Sequence, residues 1–116
     1  MIKRHLLSYQ YALRGIWLAF RYEPNMRIHL AAAIAVVAIN YSLDVTVTEW
    51  LITLMLIGIV WMSEIFNTAV EKLADRVTKE RDPLIGAVKD LAAGAVLIVC
   101  IVAVICGLMI YLPYLT

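Results

Sequence analysis

One continuous stretch decides the fold: LITLMLIGIVWMSEIFNTAVEKLADR (Leu51–Arg76), in which an apolar run passes directly into a polar one. Its first ten residues, Leu51–Val60, contain no polar side chain except that of Thr53. Such a run is typical of a helix in a lipid bilayer, where a charged side chain costs about 2.5–3.5 kcal/mol at the centre. The acidic residues that follow therefore need a physical reason to be there.

Composition indicates the same environment. Of the 116 residues, 64% are hydrophobic, and the mean hydropathy is +0.87. So little polar surface could not cover a small soluble globule, and we therefore predict a single all-α integral membrane domain over residues 1–116. The net charge is +1 and no tract of Lys or Arg is present, so we expect no nucleic-acid partner.

Two further apolar runs flank the central one, at Ile28–Leu43 and Leu91–Leu112. A hydrocarbon core of about 30 Å requires about 20 helical residues, so each span must extend into its polar flanks. The pattern predicts three helices that contain the membrane spans, over residues of about 25–45, 48–80 and 86–113.

The first 22 residues form a separate element. Apolar side chains recur there at helical spacing, at Leu6, Tyr9, Leu13, Ile16 and Phe20. This spacing predicts an amphipathic helix over residues 2–22 that lies on the membrane surface. Pro24 disfavours helix at Glu23 and is well suited to begin the next helix.

The distribution of basic residues predicts the orientation. Five precede the first span and five lie between the second and third spans, whereas the connection between the first two spans has none. By the positive-inside rule, the N-terminus and the second connection face the cytoplasm, and the C-terminus lies outside.

The polar part of the central helix has one acidic face. At 100° per residue, Asn67, Glu71 and Asp75 lie at about −60°, −20° and +20° from Glu64. One interpretation is a helix that emerges into water with salt bridges at its surface. Another is a bundle interior that holds Glu64 and Asn67 by hydrogen bonds. The third interpretation is a functional site, since acidic side chains at the edge of a membrane usually serve a function.

Other ionisable groups are predicted to approach this face. Glu23 begins the first span, and Lys89 and Asp90 begin the third span. Carboxylates from two helices and a lysine suit a magnesium ion that is bound together with phosphates. A further carboxylate at the lipid boundary could accept a proton from a lipid hydroxyl. These parts suit phosphoryl transfer, although no P-loop is present, and spacing alone leaves a membrane enzyme or a transporter open.

Four motifs resemble those of the small bacterial lipid kinases, the family of diacylglycerol and undecaprenol kinases. They are EIFNTAVEKLADR (Glu64–Arg76), AVKDLAAGAVL (Ala87–Leu97), RYEPNMRIHL (Arg21–Leu30) and YALRG (Tyr11–Gly15). The resemblance implies a surface helix, three transmembrane helices and a homotrimer whose active sites are shared between neighbouring subunits. It also implies a bacterial cytoplasmic (inner) membrane location with the active site on the cytoplasmic side.

The resemblance also implies roles for individual residues. Glu64 is similar to the family's catalytic base, and Asn67 to the residue that helps to fix the reacting groups. Glu23 and Glu71 resemble the pair that holds Mg²⁺ on ATP. Lys89 resembles the lysine that contacts the ATP phosphates. Further positions similar to those at the nucleotide site are Arg4, Tyr11, Gly15, Asp75, Gly86 and, as a conformational support, Asp90.

The activity implied is ATP-dependent transfer of the γ-phosphate to the primary hydroxyl of a membrane lipid alcohol. EPNMRIHL (Glu23–Leu30), in particular Arg27 and His29, and KDLAAGAVL (Lys89–Leu97) resemble the undecaprenol kinase branch more than the diacylglycerol branch. Undecaprenol is therefore the expected substrate, and diacylglycerol is the alternative. Two other classes stay open: a small proton-coupled transporter, and a structural assembly subunit. Such transporters commonly have four spans and a glutamate in the middle of the first.

Overall fold

The computed structural model describes all residues, 1–116, as four α-helices. They are α1 (Ile2–Tyr22), α2 (Pro24–Leu43), α3 (Val47–Val77) and α4 (Pro83–Leu115). The last three are long and apolar enough to cross a membrane. The prediction of an all-helical protein with three potential membrane spans is confirmed.

Short connections determine the topology. Only residues 44–46 join α2 to α3, and residues 78–82 join α3 to α4, so successive helices run in opposite directions. The start of α2, the end of α3 and the start of α4 therefore lie at one end of the bundle, which we call the site end. The opposite end, which carries the connection between α2 and α3, is called the far end.

Local chemistry explains where α2 and α3 begin. Glu23 has extended backbone angles (φ −104°, ψ 112°), and Pro24 occupies the first turn of α2, where its missing N–H has no helical partner to lose. Asp44 ends α2 in the left-handed conformation (φ 52°, ψ 52°). At the start of α3, Thr46 and Glu49 each accept a hydrogen bond from the other's backbone N–H, which forms a capping box.

The boundary between α3 and α4 differs from the expectation. The prediction extended the third helix to about residue 80 and began the fourth at about 86, whereas α3 ends at Val77 and α4 begins at Pro83. Asp82 accepts hydrogen bonds from the N–H groups of Leu84 and Ile85, at 2.9 and 3.2 Å. This N-cap, followed directly by proline, starts the helix three residues earlier than expected.

The buried interior is small and partly polar. Only 11 of the 116 residues are buried, and five of these are polar or charged: Asn40, Thr53, Glu64, Asn67 and Thr68. Large apolar side chains instead lie exposed along the helices. This pattern suits a bilayer, in which apolar surface meets lipid or a neighbouring helix and polar groups lie between helices.

One buried amide joins the three long helices at the far end. The Asn40 side chain is fully buried, and its Nδ2 donates to Thr53 Oγ1 at 2.9 Å. The Tyr111 hydroxyl donates to Asn40 Oδ1 at 2.5 Å. We call Asn40, Thr53 and Tyr111 the far-end cluster. It connects α2, α3 and α4 and thereby fixes their rotation around one another.

Candidate functional site

Glu64 lies inside the site end, on the face of α3 that meets α2. Its side chain is 5% exposed. Asn25 Nδ2 donates to Glu64 Oε1 at 3.5 Å, and His29 Nε2 lies 3.6 Å from Glu64 Oε2. The carboxylate is thus removed from water at the end of an apolar run, with two polar neighbours at long distances.

Asn67, one turn further along α3, is also buried. Its Nδ2 donates to Glu71 Oε1 at 3.4 Å, and Glu71 itself is exposed. The other amide atom, Oδ1, is buried and has no hydrogen-bond partner. A buried acceptor without a partner is uncommon and calls for an explanation, such as a ligand, an ion or an ordered water. The polar face thus runs from a buried Glu64, through a half-satisfied Asn67, to an exposed Glu71.

Glu23 approaches this face from the junction between α1 and α2. It is half-buried, and Lys72 Nζ on α3 lies 3.7 Å from its Oε1. The Lys72 side chain is 70% exposed, so this ion pair is weak and readily exchanged.

The donor chemistry fits a magnesium ion that arrives with a nucleotide. No group of three or more His, Cys, Asp or Glu residues is assembled that could hold a metal ion. Magnesium commonly takes only one or two carboxylates and completes its shell with phosphate oxygens and water. Glu23 and Glu71 provide two such carboxylates at the site end, and the unpartnered oxygen of Asn67 lies beside Glu71.

A cleft of about 440 Å³ opens beside the connection between α3 and α4. Its lining consists of residues 78–83, Ile85, Gly86 and Lys89. Lys89 Nζ lies 2.5 Å from Asp75 Oδ1, a pair that ties the two helices together. Three of the residues predicted for the nucleotide, Asp75, Gly86 and Lys89, are therefore near one another.

Four other predicted nucleotide residues lie apart from this cleft within one subunit. Arg4, Tyr11 and Gly15 are exposed on α1, and the side chains of Arg4 and Tyr11 make no hydrogen bond or ion pair. Asp90 is exposed and lines a separate shallow groove on α4 that includes Gly94. Their roles remain predictions.

Asn25 and the contact between His29 and Glu64 were absent from the predicted site. The signal that could have found them is the spacing N-x-x-x-H immediately after Pro24, which places both side chains on one face of the first turns of α2. Which face meets Glu64 depends on the rotation of α2 against α3, which spacing alone does not give.

Comparison with known proteins agrees with these features. The model of the family described as prokaryotic diacylglycerol kinase matches residues 10–111. The chain belongs to this family. The resemblance seen in the sequence is thereby confirmed, and the match covers every predicted site residue except Arg4.

The chain is similar to an undecaprenol kinase and to diacylglycerol kinases. The chain is 40% identical over 112 residues to an undecaprenol kinase of Bacillus subtilis, which covers 97% of this chain and 91% of the relative. It is 32% identical over 105 residues to a diacylglycerol kinase of Haemophilus influenzae, with 89% of each chain covered. It is 35% identical over 95 residues to a diacylglycerol kinase of Escherichia coli, which covers 82% of this chain and 78% of the relative. The protein is thus a member of a bacterial kinase family, with three helices that can span the inner membrane.

Proposed function

We propose that this protein transfers the γ-phosphate of ATP to the primary hydroxyl of a membrane lipid alcohol, with undecaprenol as its preferred substrate. The observation that carries the proposal is the buried carboxylate of Glu64, which ends an apolar run in a chain of this kinase family. A lipid alcohol reaches such a group from the bilayer, whereas ATP reaches the exposed end of the same face from water.

The reaction requires a base, a cation and a fixed phosphate. In the proposed step, the lipid oxygen attacks the γ-phosphorus, the bond from that phosphorus to the bridging oxygen of ADP breaks, and Glu64 accepts the hydroxyl proton. Such a base commonly contributes about 10²- to 10⁴-fold to a rate. Asn67, whose Oδ1 lacks a partner, orients the reacting groups beside it.

The nucleotide is proposed to occupy the cleft between α3 and α4. Lys89, which lines the cleft, contacts the phosphates, and Asp75 holds the Lys89 ammonium at 2.5 Å. Glu23 and Glu71 would hold Mg²⁺, which screens the negative charge of the phosphates when it is bound. The proposal places Arg4, Tyr11, Gly15, Gly86 and Asp90 around the nucleotide or in its support.

Undecaprenol is preferred because the relative that bears this name is 40% identical and covers 97% of the chain. Diacylglycerol is the second candidate, because relatives at 32–35% identity bear that name.

The deciding experiment is transfer of the γ-phosphate by the purified protein, with the two lipids in parallel mixed micelles and with Mg²⁺. Faster transfer to undecaprenol supports the proposal, and faster transfer to diacylglycerol selects the alternative. No transfer to either lipid by folded protein rejects both.

The site end is proposed to face the cytoplasm, where ATP is available. The basic residues that flank α2 and follow α3 support this orientation through the positive-inside rule. In this arrangement α1 lies along the cytoplasmic surface of the membrane, and the C-terminus lies outside.

We further propose a homotrimer, because one subunit leaves its polar face open and α1 apart from the cleft. Neighbouring subunits would close the site with residues of their own.

A Cβ atom built on Gly94 meets nothing within 4 Å in a single subunit. Gly94→Leu should therefore leave the fold of one chain intact and weaken assembly, measured by light scattering in detergent. A fully trimeric and active Gly94→Leu protein would argue against packing between subunits at this position.

A further inference from the structure

Both polar contacts of Glu64 come from one face of α2. Asn25 faces Oε1 at 3.5 Å and His29 faces Oε2 at 3.6 Å. Residues four apart in a helix are neighbours on its surface, so α2 presents one polar group to each carboxylate oxygen. No other side chain forms a hydrogen bond or ion pair with Glu64. These two contacts are therefore the polar interactions that orient the plane of the Glu64 carboxylate.

The position of His29 is fixed independently of its contact with Glu64. Trp61, one helical turn before Glu64 on α3, donates its indole N–H to the backbone carbonyl of His29 at 3.4 Å. The Trp61 ring also packs edge to face against Phe20 of α1, with 5.1 Å between ring centroids. Trp61 thus links this turn of α2 to α1 and α3, through contacts that do not involve the imidazole itself.

The two lysines that form ion pairs at the site end contact other acids, not Glu64. Lys72 pairs with Glu23, and Lys89 pairs with Asp75. The imidazole is the only basic side chain within 4.0 Å of the buried Glu64 carboxylate, and a buried carboxylate is stable only when it is hydrogen-bonded. The separation of 3.6 Å exceeds a normal hydrogen bond, but such contacts at active sites are commonly long without substrate and shorten when it binds.

We infer that His29 is a positioning residue for Glu64, with Asn25 as its partner on the other carboxylate oxygen. His29 Nε2–H donates to Oε2 and holds the plane of the carboxylate toward the lipid hydroxyl. Each carboxylate oxygen has a second lone pair, so both contacts leave room for the proton that Glu64 accepts. The inference rests on the proposed function of Glu64 as the base, and it assigns to His29 an effect on turnover rather than on nucleotide binding.

The test compares His29→Leu with His29→Gln, since glutamine keeps an N–H donor at a similar reach. Phosphate transfer is measured in mixed micelles as separate kcat and KM values for Mg-ATP and for the lipid. We expect His29→Leu to lower kcat by about ten- to a hundredfold, the effect of a misplaced reacting group, with KM for Mg-ATP within twofold. His29→Gln should recover kcat to within about fivefold of the unmodified protein. His5→Leu, the same change at the exposed histidine of α1, should have no effect.

Two results would overturn the inference. One is a normal kcat in His29→Leu. The other is a His29→Gln protein as slow as His29→Leu, since the donor would then be irrelevant. If His29→Leu does not fold, Asn25→Ala is measured instead, because Asn25 is exposed and its truncation is tolerable. A several-fold fall in kcat there supports the two-point contact, and an unchanged kcat rejects it.

Failure of the inference is distinguishable from failure of the proposed function. The unmodified protein and Glu64→Gln are assayed in parallel. An inactive unmodified protein rejects the proposed function and the inference with it. An active unmodified protein, an inactive Glu64→Gln and a normal His29→Leu together reject only the role of His29.

Discussion

The two ends of the bundle bury polar side chains in different states. In the far-end cluster, the amide nitrogen of Asn40 and the three side-chain oxygens of Asn40, Thr53 and Tyr111 are paired at 2.5–2.9 Å. At the site end, the contacts of Glu64 and Asn67 are 3.4–3.6 Å long, and Asn67 Oδ1 is buried without a partner. The same types of group, amides and hydroxyl or carboxyl oxygens, have close partners at one end and long or missing contacts at the other.

This difference indicates that the buried polar groups of the far end serve stability and those of the site end serve function. A buried polar group that is fully paired within one chain has no capacity left for a ligand, and its contribution is to hold the helices in one arrangement. A buried group with long or missing contacts reduces stability and persists where a ligand completes it. The comparison therefore predicts opposite effects of similar substitutions at the two ends.

The largest expected effect is that of Glu64→Gln. This change removes the carboxylate that would accept the proton, and it should lower kcat by about 10²- to 10⁴-fold. Nucleotide binding should remain nearly normal, because the cleft between α3 and α4 is untouched. The matched control is Glu49→Gln at the far end, where the carboxylate accepts hydrogen bonds from Tyr114 and from the backbone N–H of Thr46. Normal turnover in Glu64→Gln would remove Glu64 as the base.

The next effect concerns stability. Asn40→Leu leaves the Tyr111 hydroxyl without its acceptor and Thr53 without its donor, so we expect a loss of about 1–3 kcal/mol in the free energy of unfolding. The remaining folded protein should turn over normally. Asn67→Leu should behave in the opposite way, with a small change in stability and a large loss of kcat. The measurements are thermal unfolding in detergent and the specific activity of both variants. An Asn40→Leu protein that is stable but inactive would contradict the assignment of Asn40 to stability rather than function.

A smaller effect is expected at the exposed end of the polar face. Glu71→Gln removes one proposed ligand of magnesium and should raise KM for Mg-ATP by about tenfold, as loss of a charge-assisted contact does. The KM for the lipid should not change. Titration of activity with Mg²⁺ at fixed ATP provides the measurement, and a rise confined to the lipid KM would contradict the metal role.

The smallest effect is expected for the exposed pair between Asp75 and Lys89. Asp75→Asn should leave the thermal midpoint almost unchanged, because exposed ion pairs contribute little to stability. If Asp75 serves to hold the ammonium for the phosphates, KM for ATP should rise a few-fold. Exchange of Asp44, an acid at the far end, for asparagine serves as the control and should change neither quantity.

Much of the fold could be predicted because its determinants are local. Apolar runs of sufficient length indicate the three spans, and Pro24 marks the start of α2 at the residue where it begins. The boundary between α3 and α4 was misplaced because periodicity carried α3 past Val77 and overlooked the N-cap Asp82. The far-end cluster could not be predicted, since it depends on helix rotation and joins residues 71 apart in sequence, Asn40 and Tyr111.

The features of the site that could be predicted are those that depend on one helix alone. The order of Glu64, Asn67 and Glu71 on one face of α3 follows from helical geometry, and the structure buries the first two and exposes the third. Contacts between helices, such as His29 with Glu64, depend on packing that sequence spacing does not encode. The positions on α1 would depend further on neighbouring subunits, which a single sequence does not describe.

The hydrogen bond between Asn40 and Thr53 has a consequence for biogenesis. The two residues are 13 apart in sequence, on either side of the short turn at residues 44–46. Their bond can therefore close once the first turns of α3 have left the ribosome, before Tyr111 has done so. The two helices can enter the membrane as a hairpin in which the Asn40 amide nitrogen is already paired, and α4 then completes the cluster when Tyr111 reaches the amide oxygen.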